Sequence, residues 1–187
     1  YAVRTEEGAP VGKSPAIMKK IDDLFDIHEG SLASDNSEDG KYDFITGSEE
    51  WKKHSQYTHD GEAIVYVINA AGSLGRSHYV NGKFIASNLC IILTPKVDSE
   101  YPVNLKFYNT YFAHMRKKIV SDLSDGTSKL TISKEEFKNY YVDYIPIEKQ
   151  NKFTQEYIEP YLKKAKRLKN AITKAEKNIN SNISNLL

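Results

Sequence analysis

The residues best suited to chemistry lie together in the stretch NAAGSLGRSHYVNGKF, from Asn69 to Phe84. It contains Gly72 and Gly75, three residues apart, followed by Arg76 and His78 and then by a lysine. Cationic and imidazole side chains beside flexible glycines are suited to phosphate binding, metal ligation or contact with nucleic acid. The surrounding sequence discriminates among these three.

A nucleotide-binding loop is not indicated by the glycine spacing. The known signatures require GxGxxG or GxxxxGK[ST] at the start of a helix. Here the glycines precede a segment with the pattern of a strand, SHYVNGKFIAS. We therefore do not expect a nucleotide site in this stretch.

The histidines do not form a metal-binding pattern. His54, His59, His78 and His114 lack the close spacing typical of ligand pairs on one helix. His54 and His59 lie in a polar segment and are interpreted as solvent-exposed imidazoles. No metal site is predicted.

Catalytic motifs are also missing from the sequence. There is no GxSxG, and the single Cys90 lies within an apolar run, where a thiol usually only packs. The carboxylate pair Glu49 and Glu50 is adjacent on the chain, as is the pair Glu135 and Glu136. Adjacent carboxylates more often face solvent or cap a helix than share a substrate. The remaining interpretations are a recognition loop, or only a tight connection that leads into a hairpin.

The elements around this stretch are predicted to be strands. Ala63–Asn69 (AIVYVIN) is β-branched and aromatic, and Asn88–Pro95 (NLCIILTP) has the pattern of a buried strand. SHYV and KFIAS flank Asn81-Gly82, which tolerates the backbone of a type I′ turn. We therefore predict a β-hairpin with its turn at Asn81-Gly82.

The other elements are predicted from periodicity and capping. Aromatic and apolar residues at spacings of three and four predict a helix over Asn104–Ile119, and Ser133 with Glu136 is a capping-box signature for a brief helix. Further predictions are a short helix or helix-to-strand entry from Ile17 towards Gly30, a strand at Tyr42–Thr46, a loop at Trp51–Asp60, a short strand at KLTI and a strand at Tyr140–Ile147.

The last forty residues form a long amphipathic pattern with heptad character. The residues expected to pair this helix with another are Tyr161, Ala165, Leu168, Ile172, Ala175 and Ile179. Between them lie Lys163, Lys164, Lys166, Arg167 and Lys169, read either as a solvated face or as contacts with DNA or a partner. A small domain cannot bury so long a stripe alone, so a second helix is expected to cover it.

Length and composition indicate one globular domain with an appendage. The chain has 187 residues, 40% of them hydrophobic, and a net charge of +1. No stretch approaches the ~20 apolar residues of a membrane helix, and one cysteine weakly favours a reducing cytoplasm. Residues 1–15 have the composition of a flexible lead-in. Because the chain begins with Tyr, we expect it to be a piece of something longer.

The order of these motifs resembles the specificity (S) subunit of type I restriction-modification systems. The segments that carry the resemblance are MKKIDDLFDIHEGS, AIVYVINAAGSLGRSHYVNGKFIASNLCIILTPK, TSKL and IPIEKQ, followed by the long helix. Many members have Pro-Leu/Ile-Pro before the acidic residue and Gln, and the first of these prolines is absent here. The resemblance covers about residues 17–187.

The resemblance implies an α+β fold: a DNA target recognition domain at 16–147, with a mixed sheet, and a spacer helix at 148–187. The domain would read one half of a bipartite sequence in double-stranded DNA. The residues expected at DNA are Lys52, Lys53, Gln56, Gly72, Gly75, Arg76, Ser77, His78, Asn81, Lys83, Ser128 and Lys129.

The resemblance also implies that the chain has no catalytic activity and holds no cofactor of its own. S-adenosylmethionine, ATP and Mg²⁺ would belong to partner methyltransferase (M) and restriction (R) subunits. The helix would dock M subunits and pair with a second recognition half or a second copy. Two alternatives remain at this point: the C-terminal recognition domain of a fused restriction-methylation enzyme, or a protein-interaction head on an oligomerising helix.

Overall fold

The computed structural model describes residues 17–36, 38–125 and 131–187, and its centre is a six-stranded mixed sheet. Its strands are β2 (Phe25–Glu29), β3 (Tyr42–Ile45), β4 (Lys52–His54), β5 (His59–Val67), β6 (Ser77–Ala86) and β7 (Cys90–Pro95). The strand order is β2-β7-β5-β6-β3-β4, and every described pair is antiparallel except β3 with β6. The predicted lead-in at 1–15 lies outside the described residues.

Both faces of the central strands are buried, which explains their continuous apolar sequence. Along β5, Ile64 and Tyr66 belong to one core cluster, whereas Val65 and Val67 belong to the other. β7 follows the same alternation, because successive side chains of a strand point to opposite faces. A run of β-branched and aromatic residues is therefore required here, as the sequence predicted.

The larger cluster is closed by the helix α2 (Leu105–Leu123). Asn104 caps its start, since the side-chain oxygen of Asn104 accepts a hydrogen bond from the Phe107 amide at 3.1 Å. Tyr108, Phe112 and Ile119 are fully buried. The predicted aromatic helix is thus confirmed, and it extends four residues beyond Ile119.

Smaller elements complete the domain around α2. Ser133 caps α3 by accepting a hydrogen bond from the Glu136 amide, which confirms the predicted brief helix. The elements are β1 (Ile17–Lys20), paired with β10 (Tyr141–Tyr144); the single turn α1 (Ile21–Leu24); β8 (Ser124–Asp125), paired with β9 (Thr131–Ile132); and α3 (Lys134–Asn139). Helices and a mixed sheet give the α+β class that the sequence indicated.

The predicted turn at Asn81-Gly82 is wrong. Both residues lie inside β6, where Gly82 is paired with Gly61 of β5. Gly61 and Gly82 have φ of +132° and +126°, so a glycine pair in an unusual conformation stands within a continuous ladder. The same dipeptide suits a turn or a distorted strand, and pairing with β5 decides for the strand.

One further local prediction is wrong, and another is confirmed only in part. Trp51–Asp60 was expected to be a loop, but Lys52–His54 forms the edge strand β4 and β5 begins at His59. The helix-to-strand entry predicted between Ile17 and Gly30 is confirmed by α1 and β2, but Ile17–Lys20 forms an additional strand that pairs with Tyr141–Tyr144. Such distant pairing is not readable from local periodicity.

The C-terminal helix is anchored in the domain by its first turns. It consists of α4 (Ile147–Phe153), a π-helical turn at Thr154–Ile158 and α5 (Glu159–Leu186). The buried Gln150 side chain accepts from the Asn104 amide at 2.7 Å and donates to the Ile145 carbonyl at 2.6 Å. Pro160 has no N–H to donate, so the regular hydrogen-bond ladder is interrupted at the widened turn.

Beyond this anchor, α5 leaves the domain. None of its residues is buried, and its apolar stripe includes Tyr161 at 69% and Ile172 at 59% exposure. Its 28 residues correspond to about 42 Å at 1.5 Å per residue. Among the described residues, no helix combines the length and the apolar content that crossing a membrane requires.

Candidate nucleic-acid interface

Residues 69–76, which lie in the loop between β5 and β6, have a defined backbone and are called the 69–76 loop. Gly72 and Gly75 have φ of +77° and +76°, values that side-chain-bearing residues rarely adopt. The Gly75 amide donates to the Val67 carbonyl at 2.9 Å, and the Arg76 amide donates to the Ser73 carbonyl at 3.0 Å. The two glycines are therefore required for the turn itself.

The two glycines have different surroundings. A Cβ at Gly75 would lie 2.6 Å from Cγ2 of Val120 on α2, so the loop packs closely on this helix. A Cβ at Gly72 would meet no atom within 4 Å. Gly75 thus faces the protein interior, and Gly72 faces open space.

A polar cleft of about 480 Å³ brings together three of the predicted contact residues, Lys52, Gly72 and Arg76. Arg76 Nη1 donates to the Gly47 carbonyl, and Lys52 Nζ donates to the Ser34 carbonyl at 3.0 Å. Among the described residues, neither cation forms an ion pair with a carboxylate. The cleft therefore presents two cations whose remaining donors can bind an anion or a base edge.

A second group of predicted residues lies around Tyr42 and Tyr57, whose ring centroids are 4.7 Å apart. Lys83 Nζ lies 4.8 Å from the centroid of the Tyr57 ring, and the neighbouring Tyr57 side chain raises the pKa of Lys83. Lys53 is paired with Asp43 at 2.7 Å, and Gln56 is exposed. We call Tyr42, Tyr57 and Lys83 the edge cluster.

Ser77 and His78 are turned towards the protein. Ser77 Oγ donates to the Asn109 carbonyl of α2 at 3.2 Å, and His78 is 9% exposed. Trp51 Nε1 donates to His78 Nδ1 at 3.1 Å, so the proton of the neutral ring is on Nε2. Burial, and then the charge of Arg76, lowers the pKa of His78, which favours the neutral ring.

The remaining predicted residues are scattered or outside the described chain. Asn81 is exposed on β6 opposite Glu62. Ser128 and Lys129 lie outside the described residues. The structure thus brings Lys52, Gly72 and Arg76 together in the cleft, and it places Lys83 with two tyrosines in the edge cluster. Lys53 is paired with Asp43 and Gln56 is exposed, whereas Gly75, Ser77 and His78 have contacts inside the protein.

His54 was interpreted as an exposed imidazole, and this is wrong. It is 3% exposed, and its Nδ1 accepts a hydrogen bond from the Gln56 amide at 3.0 Å. Its ring packs against Phe44 with centroids 5.9 Å apart. His54 therefore shapes the turn that presents the edge cluster.

Sequence reasoning missed the aromatic members of these surfaces. Tyr57 lies against Lys83 and Tyr42 against Tyr57, although both tyrosines are distant from Lys83 along the chain, and Trp51 orients His78 from 27 residues away. The high tyrosine count of 13 was a signal for an interface, but it named no positions.

A sequence model for the type I restriction modification DNA specificity domain matches residues 15–181. The chain belongs to this family. No curated protein matches it in a sequence comparison. The motifs in the 69–76 loop, the strands around it and the anchored helix therefore belong to a type I DNA specificity domain.

Solved structures of type I proteins share the fold of this specificity domain. The S subunit of a type I system from M. genitalium matches with a TM-score of 0.62 and 20% identity, over 86% of this chain and 42% of that one. The HsdS subunit from Thermoanaerobacter tengcongensis matches with 0.57 and 15%, over 87% and 42%. A chain from a structure on complex assembly and conformational transition of the type I R-M system matches with 0.57 and 16%, over 93% and 45%.

The specificity domain spans less than half the length of these solved chains. At such identities the likeness is one of fold. It supports the architecture of a mixed sheet with a long C-terminal helix, and it leaves residue roles to the chemistry of this chain.

Proposed function

We propose that this chain is one target recognition domain with its spacer helix, and that it reads one half of a bipartite DNA sequence for a type I restriction-modification system. The observation that carries the proposal is the cleft of Lys52, Gly72 and Arg76 in a DNA specificity domain. Its two cations have no carboxylate partner among the described residues, so their charge is available to DNA.

The proposed roles follow from exposure and chemistry. Arg76 suits a bidentate contact with guanine or phosphate, and Asn81 suits adenine. Lys52, Lys53 and Lys83 suit phosphates, which would supply affinity and make it dependent on salt. The Tyr57 ring lies beside Lys83 with the Tyr42 ring against it, and these rings and the exposed Gln56 can contact sugars or bases.

Gly75, Ser77 and His78 are proposed to support the site from behind. Gly75 lets the loop approach α2, and Ser77 and His78 hold the start of β6 against Asn109 and Trp51. Gly72 is the glycine at which the backbone itself is open to an approaching duplex.

The chain is proposed to be non-catalytic and to act in the cytoplasm. S-adenosylmethionine, ATP and Mg²⁺ would be bound by the M and R subunits with which it assembles. The proposed division is a recognition domain at 16–147 and, from 148 onward, a helix that serves as spacer and docking surface. The exposed stripe of α5 supports a partner for this helix.

The partner helix is proposed to run antiparallel, from a second recognition half or a second copy. The stripe runs from Phe153 to Leu186, so its midpoint lies near residues 169 and 170. A parallel pair would place the five basic residues between Lys163 and Lys169 beside their own copies. An antiparallel pair places them opposite residues 170–176, which contain one Lys and one Glu. Charge repulsion therefore favours the antiparallel form.

The test is binding to a pool of random-sequence duplexes over a range of salt concentrations. We expect affinity to fall as salt rises, and Lys83→Gln to lower the slope of log K against log salt by about 0.9 per lost phosphate contact. The matched control is Lys134→Gln, which removes a lysine of α3 that is paired with Glu29 of β2. This variant should keep the wild-type slope. Absence of salt-dependent binding would instead favour a protein-interaction head.

A further inference from the structure

Arg116 on α2 makes two hydrogen bonds to the backbone of the 69–76 loop. Its Nε donates to the Leu74 carbonyl at 2.8 Å, and its Nη2 donates to the Gly72 carbonyl at 3.1 Å. These residues are 42 and 44 positions away in sequence. The contact therefore joins the loop to a helix that follows the last strand of the six-stranded sheet in the sequence.

The two carbonyls depend on this guanidinium. Among the described residues, Arg116 is the only hydrogen-bond donor to the carbonyls of Gly72 and Leu74. The Arg116 stem also fills the space beside Gly75, because a Cβ there would lie 3.1 Å from Arg116 Cγ. One side chain thus holds three of the four residues between 72 and 75.

The geometry needs arginine in particular. A guanidinium is planar and presents several N–H donors in a fixed fork, so it can bind two carbonyls at once. A lysine carries the same charge but only a single point donor group. Among the described residues, Arg116 forms no ion pair with a carboxylate. Its side-chain hydrogen bonds within this part of the chain go to the two loop carbonyls.

The loop that Arg116 holds is also a wall of the cleft. Gly72 lines the cleft with Ser73 and Arg76, and Gly72 also lines a groove with Leu74 and Arg116 on the α2 side. The position of the Gly72 backbone therefore links the helix to the surface proposed to meet DNA.

We propose that Arg116 is a positioning residue for DNA specificity: by clamping the Gly72 and Leu74 carbonyls to α2, it sets the conformation in which the 69–76 loop presents Gly72 and Arg76. The inference rests on the proposed function, because the loop must contact DNA for its conformation to affect specificity. Arg116 itself acts through the loop.

The first experiment measures amide hydrogen exchange in the full chain without DNA. In Arg116→Gln we expect the amides of Ser73, Gly75 and Arg76 to exchange at least about tenfold faster, because two hydrogen bonds to a charged donor are lost. Amides of β7 should exchange at the wild-type rate. Arg116→Lys should resemble Arg116→Gln, since it keeps the charge but lacks the fork.

Lys117→Gln is the matched control. This substitution removes the same charge as Arg116→Gln. Lys117 lines the same groove as Arg116, yet within the described residues it makes no hydrogen bond to the loop. In Lys117→Gln, the amides of the 69–76 loop should exchange at the wild-type rate. Unchanged loop exchange in Arg116→Gln would overturn the clamp.

The second experiment selects bound duplexes from a random pool with wild type, Arg116→Gln and Lys117→Gln. We expect Arg116→Gln to lose about tenfold in preference for selected over random duplexes, while its salt slope matches that of Lys117→Gln. Faster loop exchange with an unchanged selected sequence would overturn the role in specificity. If wild type itself binds no duplex, the proposed function fails and the role in specificity fails with it, while the exchange data still decide whether the clamp exists.

Discussion

His78 shows how one buried side chain can make stability depend on pH. The ring accepts a hydrogen bond from Trp51, lies near Arg76 and Glu49, and has a lowered pKa whose first cause is burial. The folded state therefore resists protonation of a ring that the unfolded chain protonates near its ordinary value of 6.5. The unfolded state then binds more protons, and stability falls as the pH decreases through this value.

We expect His78→Gln to lose stability less steeply than wild type as the pH is lowered from 7 to 5. One proton limits the difference in slope to about 1.4 kcal/mol per pH unit. The measurement is the free energy of unfolding in urea at several pH values. Parallel pH profiles for His78→Gln and wild type would contradict the expectation.

At the scale of elements, the 69–76 loop and α2 form one packed unit. Gly75 lies against Val120 and Arg116, while Gly72 has open space where a side chain would go. Both have positive φ, so any replacement at either position is strained. Alanine variants at the two positions therefore separate the free-energy cost of backbone strain from the cost of a steric clash with α2.

We expect Gly72→Ala to destabilise the fold by about 1 kcal/mol through strain alone. Gly75→Ala should cost about 3 kcal/mol, because the new Cβ also meets Val120 Cγ2 at 2.6 Å and forces the loop away from α2. Urea unfolding of the two variants measures the difference. Equal losses would mean that the loop is not seated on α2 as described.

At the scale of the whole molecule, the domain ends in a helix whose apolar stripe is left uncovered by the residues that the structure describes. The anchor at Gln150, Thr154 and Ile158 is buried, whereas no residue of α5 is. A rigid base with an uncovered stripe is typical of a surface completed by another helix.

We expect the chain to form a dimer of twice its 21.3 kDa mass, and Ile172→Asp to make it a monomer. The control Asn170→Asp introduces the same charge on the opposite side of α5 and should remain a dimer. Light scattering measures the masses, and truncation after Glu159, which retains the buried Ile158, should give a folded monomer. A monomeric wild-type chain would exclude self-pairing and leave a second recognition half as the partner of the helix.

The sequence by itself determined the elements whose pattern repeats locally. The strand β5 follows from its continuous β-branched and aromatic run, and the aromatic face of α2, the cap at Ser133 and the stripe of α5 each follow from a spacing of three or four residues. Family motifs distributed from Met18 to Gln150 then indicated a specificity domain, which the family match confirmed. These features can be predicted from residues that are close together along the chain, or from the order of the motifs.

Only the tertiary structure decided which polar residues meet and which face inward. Arg76 reaches Gly47 across 29 residues, Trp51 reaches His78 across 27, and Arg116 reaches Leu74 across 42. The same holds for Gly82, which is a strand residue because Gly61 pairs with it. Such contacts depend on the register of distant strands and on the seating of α2, and a local pattern carries no information about either.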